Sequence, residues 1–428
     1  MSRAALSLAI LLACAAALGA DGITVGEEFA LCAEGPGKGM EATPAVAFGQ
    51  GVYLAVWREG WHGKGGSARI HAARVSAEGK LLDGKGIELA PAQAGATGRS
   101  QCVQERPRVA FGDGVFLVVW QDFRNGKDYD ILAARIGPEG KVLDREPLAV
   151  AVGPRNQVLP DVASDGKAFI VVWQGMQGDE TGFRGFAAAV SAEGKVGQPV
   201  ETGMTPQPKV SWNGSQYLAV GGGAGFWAGN VQAVQLEAGG APRGKPANVI
   251  GGTKAAVFSV SGVPGAGWLV VSHRSPPDPW GWGGPGAVRA VLVNTEGRPE
   301  NQDAVKEPAG VKDRLPGWLD IGGGKAKGGT WPMGTSASAF DGKRSVVVWQ
   351  RHHLCGEKMT NFENCDLIAA RVDGYKSLDL SGVPVAASSA EERQPALASD
   401  GAGRLLLVYE KQQGDGCARV MGRMLQTE

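Results

Sequence analysis

Residues 107–150 read PRVAFGDGVFLVVWQDFRNGKDYDILAARIGPEGKVLDREPLAV, and this stretch decides the fold. It divides into four short β-type runs. Run a is Pro107 to Phe111, run b is Val115 to Trp120, run c is Asp130 to Ile136, and run d ends on Leu148 to Val150. Gly112-Asp113-Gly114 separates a from b, and Pro138-Glu139-Gly140-Lys141 separates c from d. Runs rich in β-branched and aromatic residues, punctuated by glycine turns, are antiparallel strands.

The unit recurs. Run b returns at Tyr53–Trp57, Phe169–Trp173, Tyr217–Val220, Trp268–Val271, Ser345–Trp349 and Leu405–Tyr409, which makes seven copies. The equivalent strand ends, at 57, 120, 173, 221, 272, 349 and 409, are spaced mostly 48 to 63 residues apart, with one interval of 77. Run b is apolar on both sides, as a strand packed between two neighbouring sheets must be. Four strands per unit at this period match a propeller blade. No amphipathic helix separates the runs, which argues against a parallel α/β fold. The expected architecture is an all-β, seven-bladed β-propeller of four-stranded antiparallel blades, with a sandwich array or solenoid as the competing arrangements. Blades are expected to start near residues 43, 106, 159, 206, 254, 335 and 394, with an insertion at 303–335.

The seventh copy stops at run c. A run resembling d, residues 22–32, precedes the first blade instead. The N-terminal strand is therefore expected to complete the last blade and cover two open sheet edges. Cys417 opens the last run c and Cys32 ends the N-terminal run, so a Cys32–Cys417 disulfide is expected to lock the ring. Cys355 and Cys365 bracket one b–c loop and form the second expected pair. An exported location permits both. Cys102 is left over.

Export is read from the first residues. Arg3, the apolar run Ala4–Leu12 and the small-x-small Ala17-Leu18-Gly19 form a signal peptide over 1–19, leaving 20–428 as one propeller domain. Leu11-Leu12-Ala13-Cys14 also resembles a lipoprotein box, so Cys14 is a possible lipid anchor. The expected location is periplasmic, outer-membrane-associated or extracellular, with no membrane span. Lys plus Arg and Asp plus Glu number 43 each. That balance gives no basic face for nucleic acid. The 67 glycines suit many tight turns.

The a–b and c–d turns are short X-Gly pairs, whereas the b–c and d–a connections are long and varied. Long loops on a rigid scaffold are where binding resides. The expected ligand-binding residues on that rim are Trp61, His62, Trp227, Trp280, Trp282, His353, Trp318 and Trp331. Aromatic faces suit sugar rings or peptide segments. The competing reading is that they pack the loops together.

No catalytic constellation is legible: there is no nucleophile elbow, P-loop, HExxH helix or dinucleotide fingerprint. Asp122, Asp128 and Asp130 could hold Ca²⁺. Arg124 and Lys127 can instead neutralise those acids, and no cofactor is expected. Zinc at His352-His353 with Cys355 and Cys365 is disfavoured, because adjacent strand residues point to opposite faces.

The runs Val118-Val119-Trp120-Gln121-Asp122-Phe123-Arg124, Asp130–Arg135 and Glu139–Asp144 resemble tandem repeats of exported bacterial β-propeller proteins, mostly of unassigned function. The resemblance implies a propeller over about residues 43–428 and no particular ligand. The expected function is a non-enzymatic, extracytoplasmic propeller that binds a glycan, peptide or protein through its b–c and d–a face. The alternative is an envelope polysaccharide-acting hydrolase or lyase with carboxylates from several blades.

Overall fold

The computed structural model describes residues 22–32, 40–60, 68–89, 103–176, 182–204, 207–222, 230–251, 255–274, 287–301, 319–322, 330–331, 335–355, 361–413 and 417–428. These form seven antiparallel sheets, most of them of four strands. Blade 2 is the plainest: Gln104–Gly112, Val115–Asp122, Asp130–Ile136 and Leu148–Ala151 pair in chain order. The a strands of blades 1 to 7 are Glu41–Gly49, Gln104–Gly112, Gln157–Ser164, Lys209–Trp212, Ala255–Val263, Ser336–Phe340 and Glu392–Ser399. Each touches the next, and the last returns to the first, so they ring a central channel.

The ring closes as the sequence requires. Ile23–Ala30 pairs antiparallel with Ala418–Thr427, from Ile23 opposite Thr427 to Ala30 opposite Met421. The N-terminal strand is thus strand d of blade 7. Glu28 ties the joint: Lys411 Nζ donates to its Oε2 at 2.8 Å, and the Tyr409 hydroxyl donates to its Oε1. Arg423 donates to the Gly26 carbonyl at 3.0 Å. Burial alone would raise the Glu28 pKa, but the bonds from Lys411 and Tyr409 and the nearby positive charges hold it below the ordinary glutamate value.

The apolar residues gather in seven clusters, each shared by two adjacent blades. Trp120, on blade 2, packs against Leu54, Val56 and Ile70 of blade 1. The closing cluster joins Tyr53 and Trp57 of blade 1 to Leu406 and Val408 of blade 7 and to Leu31. Strand b therefore buries both faces, which explains its lack of polar alternation.

The segment expected as an insertion takes part in two blades. Leu319–Gly322 is strand d of blade 5, and Thr330–Trp331 adds to the upper end of the blade 6 strand Ser345–Cys355.

Neither expected disulfide is seen among the described residues. The pairing ends with Ala30 opposite Met421 and the Leu31 N–H donating to the Val420 carbonyl at 3.1 Å; continued in that register, Cys32 meets Arg419, two residues away from Cys417. Among the described residues no disulfide joins the two. In blade 6, Cys355 lies opposite Asn361 and Cys365 opposite His352. Three residues of offset along a strand is about 10 Å, beyond disulfide reach. Cys365 is a buried thiol, pushed up to about 11 by burial, whose sulfur accepts from Gln350 Nε2 at 3.4 Å.

The repeated strand-c arginine also finds its purpose. Arg74 grips Asp83 with Nε and Nη2 at 2.8 Å each, and its Nη1 reaches the Pro138 carbonyl of blade 2 at 3.0 Å. Arg135 does the same with Asp144 and with Ala192 of blade 3. The turn glycine makes room for this staple. Gly140 has φ +88°, and a Cβ there would sit 2.7 Å from Arg74 Nε.

Gly140→Ala is therefore expected to destabilise the protein by about 1–3 kcal/mol, from left-handed strain plus crowding, measured by chemical denaturation. Glu28→Gln is expected to cost about 1–3 kcal/mol near neutrality by removing a charged partner from the closing joint. Because the folded glutamate is the stronger acid, that increment disappears as pH falls below the ordinary glutamate range, so wild type and variant melt together in acid. A constant gap between their melting temperatures at all pH values contradicts this account.

Candidate functional site

The channel mouth is built from a kink repeated in strand a. In five blades a residue with positive φ precedes a proline: Thr43 (53°), Arg106 (51°), Leu159 (56°), Gln207 (62°) and Gln394 (55°). Such a backbone costs on the order of 1–3 kcal/mol at a non-glycine residue and persists only where the surroundings enforce it. The preceding blade supplies the enforcement. Gln121 Oε1 accepts from the Leu159 N–H at 3.1 Å, Gln174 from Gln207 at 3.0 Å, Gln350 from Gln394 at 3.1 Å, and Glu410 from Thr43 at 2.6 Å. Each acceptor follows the aromatic residue that ends the apolar part of strand b. The bulge lies near the b–c and d–a connections and shifts the register between strands a and b, as from Glu105 to Arg108.

Past the proline the chain runs down the channel wall. Seven residues share this level by strand register: Ala45, Arg108, Asp161, Lys209, Ser259, Ala337 and Ala396. The ring is lopsided. Blades 2, 3 and 4 present Arg, Asp and Lys, while the other four present only Ala or Ser. The small residues leave a cavity of about 470 Å³, which Arg106, Ser336 and Ser338 also line.

The charges are unequally matched. Arg108 Nε lies 3.7 Å from Asp161 Oδ1, and Asp161 Oδ2 accepts from the Val210 N–H at 3.0 Å. Asp161 thus spans blades 2 and 4. The Lys209 ammonium makes no hydrogen bond or ion pair among the described residues, although its backbone pairs with Val220. Enclosure by the blades, then the charge of Arg108, lowers its amine to about 8; Asp161 opposes the shift and Arg106 adds to it. Enclosure likewise lowers Arg108. These side chains are wetted by the channel yet surrounded by protein, the setting in which perturbed pKa values mark functional sites.

The expected rim residues Trp61, His62, Trp227, Trp280, Trp282 and Trp318 lie outside the described residues. Trp331 and His353 are placed by backbone only. Thr330 pairs with His353 and Trp331 with His352, so both fall at the top of blade 6. The carboxylates weighed for Ca²⁺ are taken by protein groups. Asp122 accepts from Arg124 Nη2 at 2.7 Å and Trp120 Nε1 at 2.8 Å, and Asn125 Nδ2 reaches Asp128 at 2.7 Å and Asp130 at 3.0 Å.

Arg108, Asp161 and Lys209 were not singled out by sequence reasoning. Their signal is a charged residue directly after the proline of an otherwise apolar inner strand: Pro107-Arg108, Pro160-Asp161, Pro208-Lys209, against Pro44-Ala45 and Pro395-Ala396.

No protein-family model matches the chain, and no curated protein matches it. Among solved structures it is similar to an acylaminoacyl peptidase from Pyrococcus horikoshii, at 10% identity and TM-score 0.49, over 89% of this chain and 50% of that one. The chain thus spans half the length of that protein. It is also similar to a Dyadobacter fermentans protein of unknown function, at 11% identity and TM-score 0.48, over 95% of this chain and 100% of that one. A GH43_1 enzyme from Xanthomonas citri complexed with xylotriose matches at 13% identity and TM-score 0.37, over 66% of this chain and 97% of that one. Likenesses this distant carry no functional argument, and the propeller assignment rests on the strand pairing described above.

Proposed function

We propose that this protein works outside the cytoplasm on an acidic saccharide held in the mouth of its central channel. One observation carries the reading: Arg108 and Lys209 stand on one arc of the channel, with Asp161 between them as the only carboxylate among the described lining residues. An enclosed ammonium without a partner is costly unless an anion meets it. The opposite arc of Ala45, Ala337 and Ala396 leaves space for a ring. Ser259 and Ser336, whose hydroxyls meet at 3.5 Å, line the cavity together with Thr43, Thr335 and Ser338. The volume, about 470 Å³, falls among ligand pockets, which run roughly 300–1,000 Å³.

Binding needs only the charges and the space. Lys209 favours a second reading, turnover. A lysine held near neutrality is suited to general-base work. With Arg108 neutralising a uronate carboxylate, the Lys209 amine can take the proton from the carbon that bears that carboxylate; a carbon–carbon double bond forms as the glycosidic C–O bond breaks, and the departing oxygen keeps the electron pair and takes a proton from channel water. Glycoside hydrolysis by two carboxylates has less support, because Asp161 is engaged by Arg108 and by the Val210 N–H.

Calorimetry with polygalacturonate oligomers, against neutral dextran, tests the reading. Wild type is expected to bind only the acidic polymer. Lys209→Met is expected to weaken binding roughly 10- to 100-fold, the worth of one charged hydrogen bond. Affinity is expected to fall as pH rises through about 8, where the Lys209 ammonium is lost. Equal binding by wild type and Lys209→Met removes the channel site. Growth of ultraviolet absorbance from unsaturated chain ends marks turnover, and its absence with intact binding leaves a binding protein.

A further inference from the structure

The repeated blade-to-blade clasp is broken at one joint. Of the five positive-φ residues that precede proline, four donate their N–H to a Gln or Glu side chain of the preceding blade. The fifth is Arg106, on blade 2. The position that should serve it, one past Trp57 on blade 1, is Arg58. A guanidinium has five donors and no acceptor, so this joint carries donors on both sides.

Arg58 is only 6% exposed. Its Nε and Nη1 are buried without a hydrogen-bond partner. Glu105, Glu410, Arg106 and Tyr129 surround it electrostatically, in that order of favourable acids before the opposing Arg106 and the distant phenol. The two acids are committed elsewhere. Glu105 Oε2 accepts from Gln121 Nε2 at 3.0 Å. Glu410 Oε1 accepts from the Thr43 N–H at 2.6 Å, and its Oε2 faces Arg393 Nε at 3.4 Å. Arg106 is exposed at the mouth and lines the cavity, so its side of the joint faces the channel, with Arg58 buried behind it.

We propose that the joint between blades 1 and 2 is an oxyanion-binding position, in which a carboxylate, sulfate or phosphate group sits between the Arg58 guanidinium and the backbone N–H of Arg106. The anion replaces the missing side-chain acceptor: its oxygens take the N–H that Gln121, Gln174, Gln350 and Glu410 take at the other joints. Arginine's planar fork suits such a group. Arg106 precedes Arg108 by two residues on the same strand, but Arg58 belongs to blade 1 and takes no part in the saccharide reading, so this site stands whether or not the channel holds a saccharide.

The test compares wild type, Arg58→Gln and Lys209→Met by thermal melting and calorimetry, with inorganic phosphate, a polygalacturonate oligomer, and chloride at matched ionic strength. Arg58→Gln restores the acceptor of the other joints. It is expected to melt above wild type in anion-free buffer and to lose the saturable phosphate-dependent rise in melting temperature that wild type shows. Lys209→Met is expected to keep that rise, which separates this site from the channel reading. A saccharide response lost in Arg58→Gln makes the bound group part of the saccharide; a response to phosphate alone makes it a free anion. The proposal is overturned if wild type shows no phosphate response beyond chloride. It is equally overturned if Arg58→Gln is less stable than wild type without anion, or fails to fold, since Arg58 is then a structural ion-pair member.

Discussion

A blade of this protein cannot bury its own faces. Its b strand is apolar on both sides, and each apolar cluster is made half by one blade and half by the next. An open row of such sheets would leave one face bare at each end. The pairing of Ile23–Ala30 with Ala418–Thr427 removes both bare faces at once, because it brings blade 7 against blade 1. Every other feature, including a channel with a mouth, follows from that closure.

The ring is held by two kinds of polar joint at different depths. At the outer side, Arg74 and Arg135 grip their own blade's aspartate and reach a turn carbonyl of the next blade. At the inner side, Gln or Glu side chains accept the strained N–H groups before the prolines. Both use the same logic. A side chain of one blade satisfies a backbone group of its neighbour, so the interface fixes register where apolar packing alone would let blades slide. The inner joints also set which residues face the channel, because the bulge decides the side on which the residue after proline emerges.

Much of the architecture was legible from the chain. The period of strand b, the X-Gly turns and the d-like run at residues 22–32 are local signals, and each specified a local structure that propagates around the ring. The arginine–aspartate repeat was visible as a motif, but its reach into the next blade was not, because contact between blades leaves no mark in local spacing. The expected cysteine pairs are not seen among the described residues, and the register beyond Ala30, where the strand pairing ends, leaves no mark in the hydrophobic pattern. The candidate site was least legible. Arg108, Asp161 and Lys209 are separated by about fifty residues each, and only the common proline places them at one level of one channel.

The charged arc and the broken joint share a cause. The repeat would be served equally well by Ala after the proline, as at Ala45 and Ala396, and by Gln after the aromatic residue, as at Gln121 and Gln174. Blades 2, 3 and 4 carry Arg, Asp and Lys at the first position, and blade 1 carries Arg at the second. Arg108, Asp161 and Lys209 line one arc of the mouth, Arg58 is buried at the joint of blades 1 and 2, and the opposite arc keeps small residues. Packing does not demand them: an enclosed lysine is held below its ordinary pKa, and a buried guanidinium keeps two unmet donors. Local choices that oppose folding and converge on one cavity are what a binding site costs its scaffold. Three of the four departures bring positive charge, which is the basis for proposing an anionic partner.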